Sequence, residues 1–318
     1  MQCSIIVPLY NKAATVRRSL ESIRVQTMAD CEVIIVDDGS TDNSREEVEK
    51  FLHSVRDERF RLIHQANNGP GAARNRGIAE ARAPLVAFLD ADDEWLPHFL
   101  ENAIQALARS GPGTAAISTA WFDDPGHRSS RERFMGLGLR TGLYTMSSDT
   151  DPRLLLALHI MMSPCCTIVR KEVVQRLGGF YEKRCRFGED GHLWLKVCLN
   201  YPVYILFEEG AVFHRENSAL SGNRSMRPVE PFLEDPEDVR AVCPPNLSRL
   251  LENLLAIRAM KTSCVLAYWG EWRRARLLRR RYSVAGAWRL PWYFPSLLTV
   301  SPLGSLAGAG LRALRGSS

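Results

Sequence analysis

Three observations predict an α/β fold, a parallel sheet covered by helices and followed by a helical extension. Short apolar runs alternate with amphipathic segments from Ser4 to Thr119, the pattern of the strand–helix units that build parallel sheets. Turn-forming and acidic residues stand where those runs end. After about Glu216 the alternation stops, and from Asn246 the chain reads as helical and basic. A length of 318 residues suffices for one large core and an appendage, and the expected domains are 1–222 and 223–318.

Ser4–Val7 is the first strand. Val16, Leu20 and Ile23 share one helical face, so a helix is expected from Thr15 to Gln26. Glu32-Val33-Ile34-Ile35-Val36 is β-branched and continuous, as a strand buried on both faces requires. It stops at Asp37-Asp38-Gly39-Ser40, after which Asp42 or Ser44 can cap a helix running through Leu52. Phe60–His64 is the third strand, and Asn67-Asn68-Gly69-Pro70-Gly71 leads into a helix over Ala72–Ala81. Leu85–Leu89 is the fourth, ending at Asp90-Ala91-Asp92-Asp93. Pro97 suits the first turn of the next helix, and Ala115–Thr119 is a fifth strand. Phe122–Asp149, rich in Gly, Ser and Arg, reads as an irregular or hairpin-bearing insertion, or as a plain surface loop.

Composition narrows the function classes. A net charge of +5 is mild and suits an anionic substrate or membrane surface without requiring either. The eight cysteines show no zinc-site spacing and read as reduced, packed thiols of a cytoplasmic protein. No signal peptide is expected at the N-terminus, and no uncharged apolar stretch is long enough to span a bilayer.

In open α/β sheets ligands bind beyond the carboxyl ends of the strands, and here those ends are acidic. Asp37 and Asp38 end one strand, while Asp90, Asp92 and Asp93 end another, a gathering of like charges that calls for a cation. In extended backbone, residues two apart point the same way, so Asp90 and Asp92 can face one ligand. Hard carboxylate oxygens favour Mg²⁺ or Mn²⁺, which leave positions open for phosphate oxygens. Between the two acidic groups, either Arg74 or Arg76 can meet a phosphate at a helix start or lie on a solvated face; Arg74 is the preferred candidate.

Several segments stand in a characteristic order: Ile6-Val7-Pro8-Leu9-Tyr10-Asn11, Val36-Asp37-Asp38-Gly39-Ser40-Thr41-Asp42, Phe88-Leu89-Asp90-Ala91-Asp92-Asp93, Gly178-Gly179-Phe180 and Gly188-Glu189-Asp190. In this order they resemble the family-two inverting glycosyltransferases of GT-A fold, over roughly Gln2 to Ser221. The resemblance implies a Rossmann-like, mixed but mainly parallel sheet and a catalytic domain at 1–222. It implies transfer from a nucleoside-diphosphate sugar, UDP-sugar favoured, to a glycan or lipid-linked acceptor, in surface polysaccharide synthesis. Pro8, Tyr10 and Asp38 would line the base and ribose pocket, with Asp90 near the ribose and Asp92 on the metal. Tyr10 reads equally as a half-buried core aromatic. Asp190 would be the base that takes the acceptor proton and Glu189 its neighbour, where residues alone suggest only helix capping. The family often supplies a late histidine or arginine to the metal or diphosphate, here His214, although Phe213-His214-Arg215-Glu216 departs from the commoner pattern. Met161–Val169 would be a strand beside the acceptor.

Rival readings differ by class. A dinucleotide-binding oxidoreductase needs Gly-x-Gly-x-x-Gly after the first strand, where this chain has Pro8-Leu9-Tyr10-Asn11-Lys12. A silent sugar-nucleotide or glycan-binding module and a nucleotidyltransferase are the other two. Between Tyr268 and Tyr293 lie Trp269, Trp272, Arg273, Arg274, Arg276, Arg279, Arg280, Arg281, Trp288 and Trp292. They suit a helix resting on the inner, anionic face of a membrane, or an extension packing its tryptophans inward. No nucleic-acid module accompanies the arginines, and nucleic acid is not an expected partner.

Overall fold

The computed structural model describes residues 1–183, 185, 187–215 and 229–300. Two compact units are present, Met1–Met146 with Ala157–Asn223, and Ser147–Leu156 with Arg224–Ser318.

The first unit is built on one sheet. Its strands are β1 (Cys3–Leu9), β2 (Cys31–Asp37), β3 (Phe60–His64), β4 (Leu85–Phe88), β5 (Glu94–Trp95), β6 (Ala116–Asp124), β7 (Arg128–Ser129), β8 (Gly142–Tyr144), β9 (Thr167–Arg170) and β10 (Val203–His214). The order is β3-β2-β1-β4-β9-β6-β10-β5, with β7 beside β6 and β8 beside β10. β1 to β4 are mutually parallel, as is the β6–β10 pair, whereas β9 runs antiparallel to both β4 and β6. The sheet is therefore mixed and mainly parallel. Every residue of β2 is buried, which explains its unbroken β-branched run: it has strands on both sides and a helix packed against it.

Helices α1 (Val16–Arg24), α2 (Ser44–Val55), α3 (Pro70–Glu80) and α4 (Phe99–Arg109) follow the first strands. The expected insertion is a hairpin, β6 with antiparallel β7, continued by α5 (Ser130–Gly136) and β8. α6 (Pro152–Met161) was not expected, and it corrects the strand predicted over Met161–Val169. Met161 ends a helix, Pro164–Cys166 forms a single 3₁₀ turn, and only then does β9 begin. α7 (Lys171–Arg176) and α8 (Glu189–Asn200) complete this unit.

Register decides where the acids emerge. Leu9 pairs with Asp37 and Ile6 with Phe88, and the ladder runs one step further through Asp38 N–H to Leu9 O (2.8 Å) and Leu89 N–H to Ile6 O (3.1 Å). Asp38 and Asp90 thus leave the sheet at one edge.

The second unit contains α9 (Pro231–Glu234), α10 (Pro236–Val242), α11 (Ser248–Tyr268), α12 (Trp272–Arg281) and α13 (Tyr293–Thr299). α11 buries Leu250, Leu251, Leu254, Leu255, Ile257 and Met260. Glu230 holds the Arg258 guanidinium and the Thr262 hydroxyl (2.9 Å), and the Tyr282 hydroxyl donates to Leu233 O (2.6 Å). No helix among the described residues is long and apolar enough to cross a membrane. No disulfide joins cysteines among the described residues.

Candidate active site

The first acidic strand end is held by hydrogen-bond donors. The Asp38 carboxylate is buried and accepts the backbone N–H groups of Asn68 (3.0 Å) and Gly69 (2.9 Å) and the side-chain amide of Gln65 (2.7 Å). It therefore shapes the loop that opens α3. Asp37 accepts the Ser40 N–H (3.0 Å) and lies 3.0 Å from Nδ1 of His64. Pro8 sits in β1 opposite Val36, and Tyr10, just past the strand, is 44% exposed at the same edge. Tyr10 is thus not part of the core.

The second acidic end is answered by cations. Arg74, buried on α3, donates from Nη2 to Asp90 (2.7 Å) and from Nη1 to Glu189 at the start of α8 (2.7 Å). Burial opposes the guanidinium charge, but Asp90 and Glu189 outweigh it and hold the group protonated. Its carbon lies 5.3 Å from the Phe180 ring centre, and that ring meets Phe88 at 5.0 Å and Trp194 at 5.7 Å. The sequence Gly178-Gly179-Phe180 has a local cause. Asn75 donates to Phe180 O (2.8 Å) and accepts its N–H (2.8 Å), and Gly179 has φ +75°. A Cβ on Gly179 would stand 2.5 Å from Oδ1 of Asn75, so only glycine allows this clasp.

Asp190 follows Glu189, half-buried. Burial raises its proton affinity, and the Glu189 charge raises it further, while Arg74 pulls the other way. Asp92 pairs with Lys12, which comes from the loop after β1. Burial and the Asp90 charge push Asp92 upward, opposed by Lys12. Asp93 is buried and pushed up to about 8, by burial first and then by Asp90 and Asp92. It accepts the His214 N–H (3.0 Å) and the Cys165 thiol (3.4 Å).

The structure thus joins Asp90, Arg74, Glu189 and Asp190, with Asp92 and Asp93 beside them. Asp38 reaches the same edge, but its carboxylate is turned to the 65–69 loop. Arg74 contacts two carboxylates, and the His214 ring stands between Glu94 (Nε2, 3.0 Å) and Asp124 (Nδ1, 3.3 Å). A possible acidic metal site is present: ligand atoms of Asp90, Asp93 and Cys165 lie within 4.8 Å of one another. The carboxylate oxygens fit Mg²⁺ or Mn²⁺. The thiol does not, because burial above all holds its pKa well above the usual value and keeps it a donor to Asp93. Lys12 and Asn75 had no role assigned from the sequence, Phe180 stood there only as part of a motif and Cys165 only as a packed thiol, since each acts through a partner that only the tertiary fold supplies.

A mixed, mainly parallel sheet with its acids collected at one edge defines the GT-A class of fold, and solved structures share it. TarS of S. aureus in complex with UDP-GlcNAc superposes with a TM-score of 0.63 at 18% identity, over 89% of each chain. The mannosyltransferase PcManGT of Pyrobaculum calidifontis, in complex with GDP-Man and Mn²⁺, gives 0.59 at 19% identity, over 100% of this chain and 88% of that one. At such identities the likeness is one of fold alone.

The sequence is narrower. The profile of glycosyl transferase family 2 matches residues 4–178, and the chain belongs to that family. Over 109 residues it is 39% identical to the succinoglycan biosynthesis protein ExoW of Rhizobium meliloti, covering 33% of this chain and 34% of that protein. The matched segments span about a third (34% and 35%) of the first curated relatives' length.

Proposed function

We propose that this chain is an inverting glycosyltransferase, moving a sugar from a nucleoside-diphosphate sugar, UDP-sugar favoured, to an acceptor hydroxyl of a glycan or lipid-linked glycan in surface polysaccharide synthesis. The catalytic domain is 1–222, and 223–318 is its extension. The observation that carries this reading is the Arg74 bridge. One guanidinium ties Asp90, at a strand end where a donor would lie, to Glu189, next to the carboxylate that would take a proton. Donor and acceptor chemistry are thereby held in one frame, as direct displacement demands. The folds of TarS and PcManGT, solved with nucleoside diphosphate sugars, support the donor class, and the similarity to ExoW supports the product class.

Asp190 acts as the base, removing the hydroxyl proton as the acceptor oxygen attacks the anomeric carbon from the side opposite the leaving diphosphate. Burial and the anionic neighbour Glu189 raise its proton affinity, which suits it to hold that proton. Glu189 is held beside it by its ion pair with Arg74. Pro8, Tyr10 and Asp38 line the base and ribose pocket; Tyr10 is exposed for stacking, and Asp38 acts through the loop it shapes. Asp92 and Asp90 are the residues that would hold Mn²⁺ or Mg²⁺, and such an ion would supply charge neutralisation for the leaving diphosphate, while His214, its ring between Glu94 and Asp124, would support them through its backbone N–H on Asp93. No covalent enzyme intermediate is involved.

The test is product analysis. Incubation with UDP-sugars, Mn²⁺ and candidate glycan acceptors should release nucleoside diphosphate and give a product of inverted anomeric configuration by NMR. Release of pyrophosphate would instead mean nucleotidyl transfer, and a retained anomer would remove Asp190 from its role.

A further inference from the structure

We propose that the C-terminal unit carries a surface that rests on an anionic lipid bilayer. Charge is segregated in this chain. From Trp272 to Ser318 there are nine arginines and no Asp or Glu, so the rest of a chain of net charge +5 carries −4. Such a block has no acid of its own to answer it. Among the arginines within the described residues, Arg274 approaches Glu271 at 3.9 Å, and Arg279 is turned inward, donating to the Ser296 hydroxyl (2.9 Å). Arg273, Arg276 and Arg280 are exposed.

Apolar exposure is concentrated in the same place. Of the twelve large hydrophobic residues exposed among the described residues, seven lie between Val265 and Leu298. On α13, Phe294 (61% exposed), Leu297 and Leu298 (76%) are spaced three and four apart, so they form one stripe, while Ser296 is buried. Phe294 and Leu298, each two residues from Ser296, lie on the side of α13 opposite the hydroxyl that Arg279 anchors. Leu277 on α12 is 67% exposed, and Trp288 between the two helices is 56% exposed. Tyr282 is packed inward and Trp269 and Trp272 are half-buried, but Trp288, Trp292 and Phe294 are exposed.

The occupant follows from the pairing of the two features. Exposed apolar side chains need a phase that accepts them, and the arginines around them need anions at its boundary; tryptophan beside arginine suits the headgroup level. α12 has ten residues and α13 seven, too short to cross, so the elements would lie in the interface rather than span it. This mode of attachment is independent of the reaction proposed above.

Co-sedimentation of the full chain with phosphatidylglycerol-rich and pure phosphatidylcholine vesicles tests it. The chain should pellet with the anionic vesicles, blue-shift its tryptophan fluorescence and release as salt rises. Replacing Arg273, Arg276 and Arg280 together by Gln should lower partitioning about a hundredfold. Replacing Phe294, Leu297 and Leu298 by Ser should lower it by a similar factor, on the order of a hundredfold. Circular dichroism and donor binding should be unchanged in both variants, since the substituted residues are exposed. The proposal is overturned if the wild-type chain stays in the supernatant at low salt, or if the serine variant partitions as the wild type does. It is equally overturned if the apolar stripe proves to join two copies, shown by a wild-type dimer that the serine variant converts to monomer without any lipid binding, or if duplex nucleic acid is bound and vesicles are not.

Discussion

Two strand ends that look alike in sequence behave differently in the fold. Asp37-Asp38 after β2 and Asp90-Ala91-Asp92-Asp93 after β4 are both acidic turns at one edge of the sheet. The first is neutralised by N–H donors of its own neighbourhood, fixed dipoles that organise the 65–69 loop. The second is neutralised by whole cations, Lys12 on Asp92 and Arg74 on Asp90. A partner such as Lys12, on a flexible stem, can be exchanged for another cation, whereas backbone amides cannot move without remaking the loop. The gathering of like charges therefore does not by itself demand a metal ion, but the β4 end is the one suited to receive one.

Five measurements break or sharpen that contrast. The largest effect is expected at the residue that uses the β4 side: Asp190→Asn should lower kcat about a thousandfold while donor affinity by calorimetry stays nearly the same. Near-normal turnover would assign the base elsewhere. Arg74→Met should come next, destabilising the protein by about 3 kcal/mol in urea unfolding, since it strands Glu189 without a partner in a buried place. Asp38→Ala removes three hydrogen bonds and should destabilise by about 1–3 kcal/mol, with a raised donor KM and a smaller change in kcat. If its kcat collapsed instead, the two strand ends would share one role.

Proton binding supplies the fourth. In its proposed role of base Asp190 works only when ionised, so turnover should fall as pH drops through its pKa. Burial and Glu189 raise that pKa, and the acid limb of the kcat profile should lie above the usual carboxylate range; Glu189→Gln should move it to lower pH. An unmoved limb would detach the two residues. The smallest effect is expected for Lys12→Met, which frees Asp92 from a part-buried ion pair and should lower the Mn²⁺ concentration for half-maximal rate up to about fivefold. A higher requirement would mean that Lys12 helps to bind the donor.

Much of this was legible because the physics was local. Strands buried on both faces write themselves as β-branched runs, so β1, β2, β3 and β4 stand at or within two residues of the predicted segments. Acidic turns at their ends marked the side of the sheet at which Asp38 and Asp90 emerge. The illegible parts depend on long-range company. β9 has four residues and no periodicity to read, and it is placed by its neighbours. The partner of Arg74 lies 115 residues away at Glu189, a relation no spacing rule encodes. Cys165 looked like core packing and is indeed buried, yet its thiol also serves Asp93. The β4 acids suggested a missing cation because Lys12 and Arg74 could not be paired with them from sequence.

The antiparallel β9 has a consequence for biosynthesis. Because it fills the slot between β4 and β6, those two strands cannot close on each other when they leave the ribosome, and each offers a bare edge until a segment 43 residues past the end of β6 arrives. Bare edges invite pairing with other nascent chains. Truncated forms ending before Thr167 are expected to aggregate during synthesis, while forms that include Arg170 can complete the ladder.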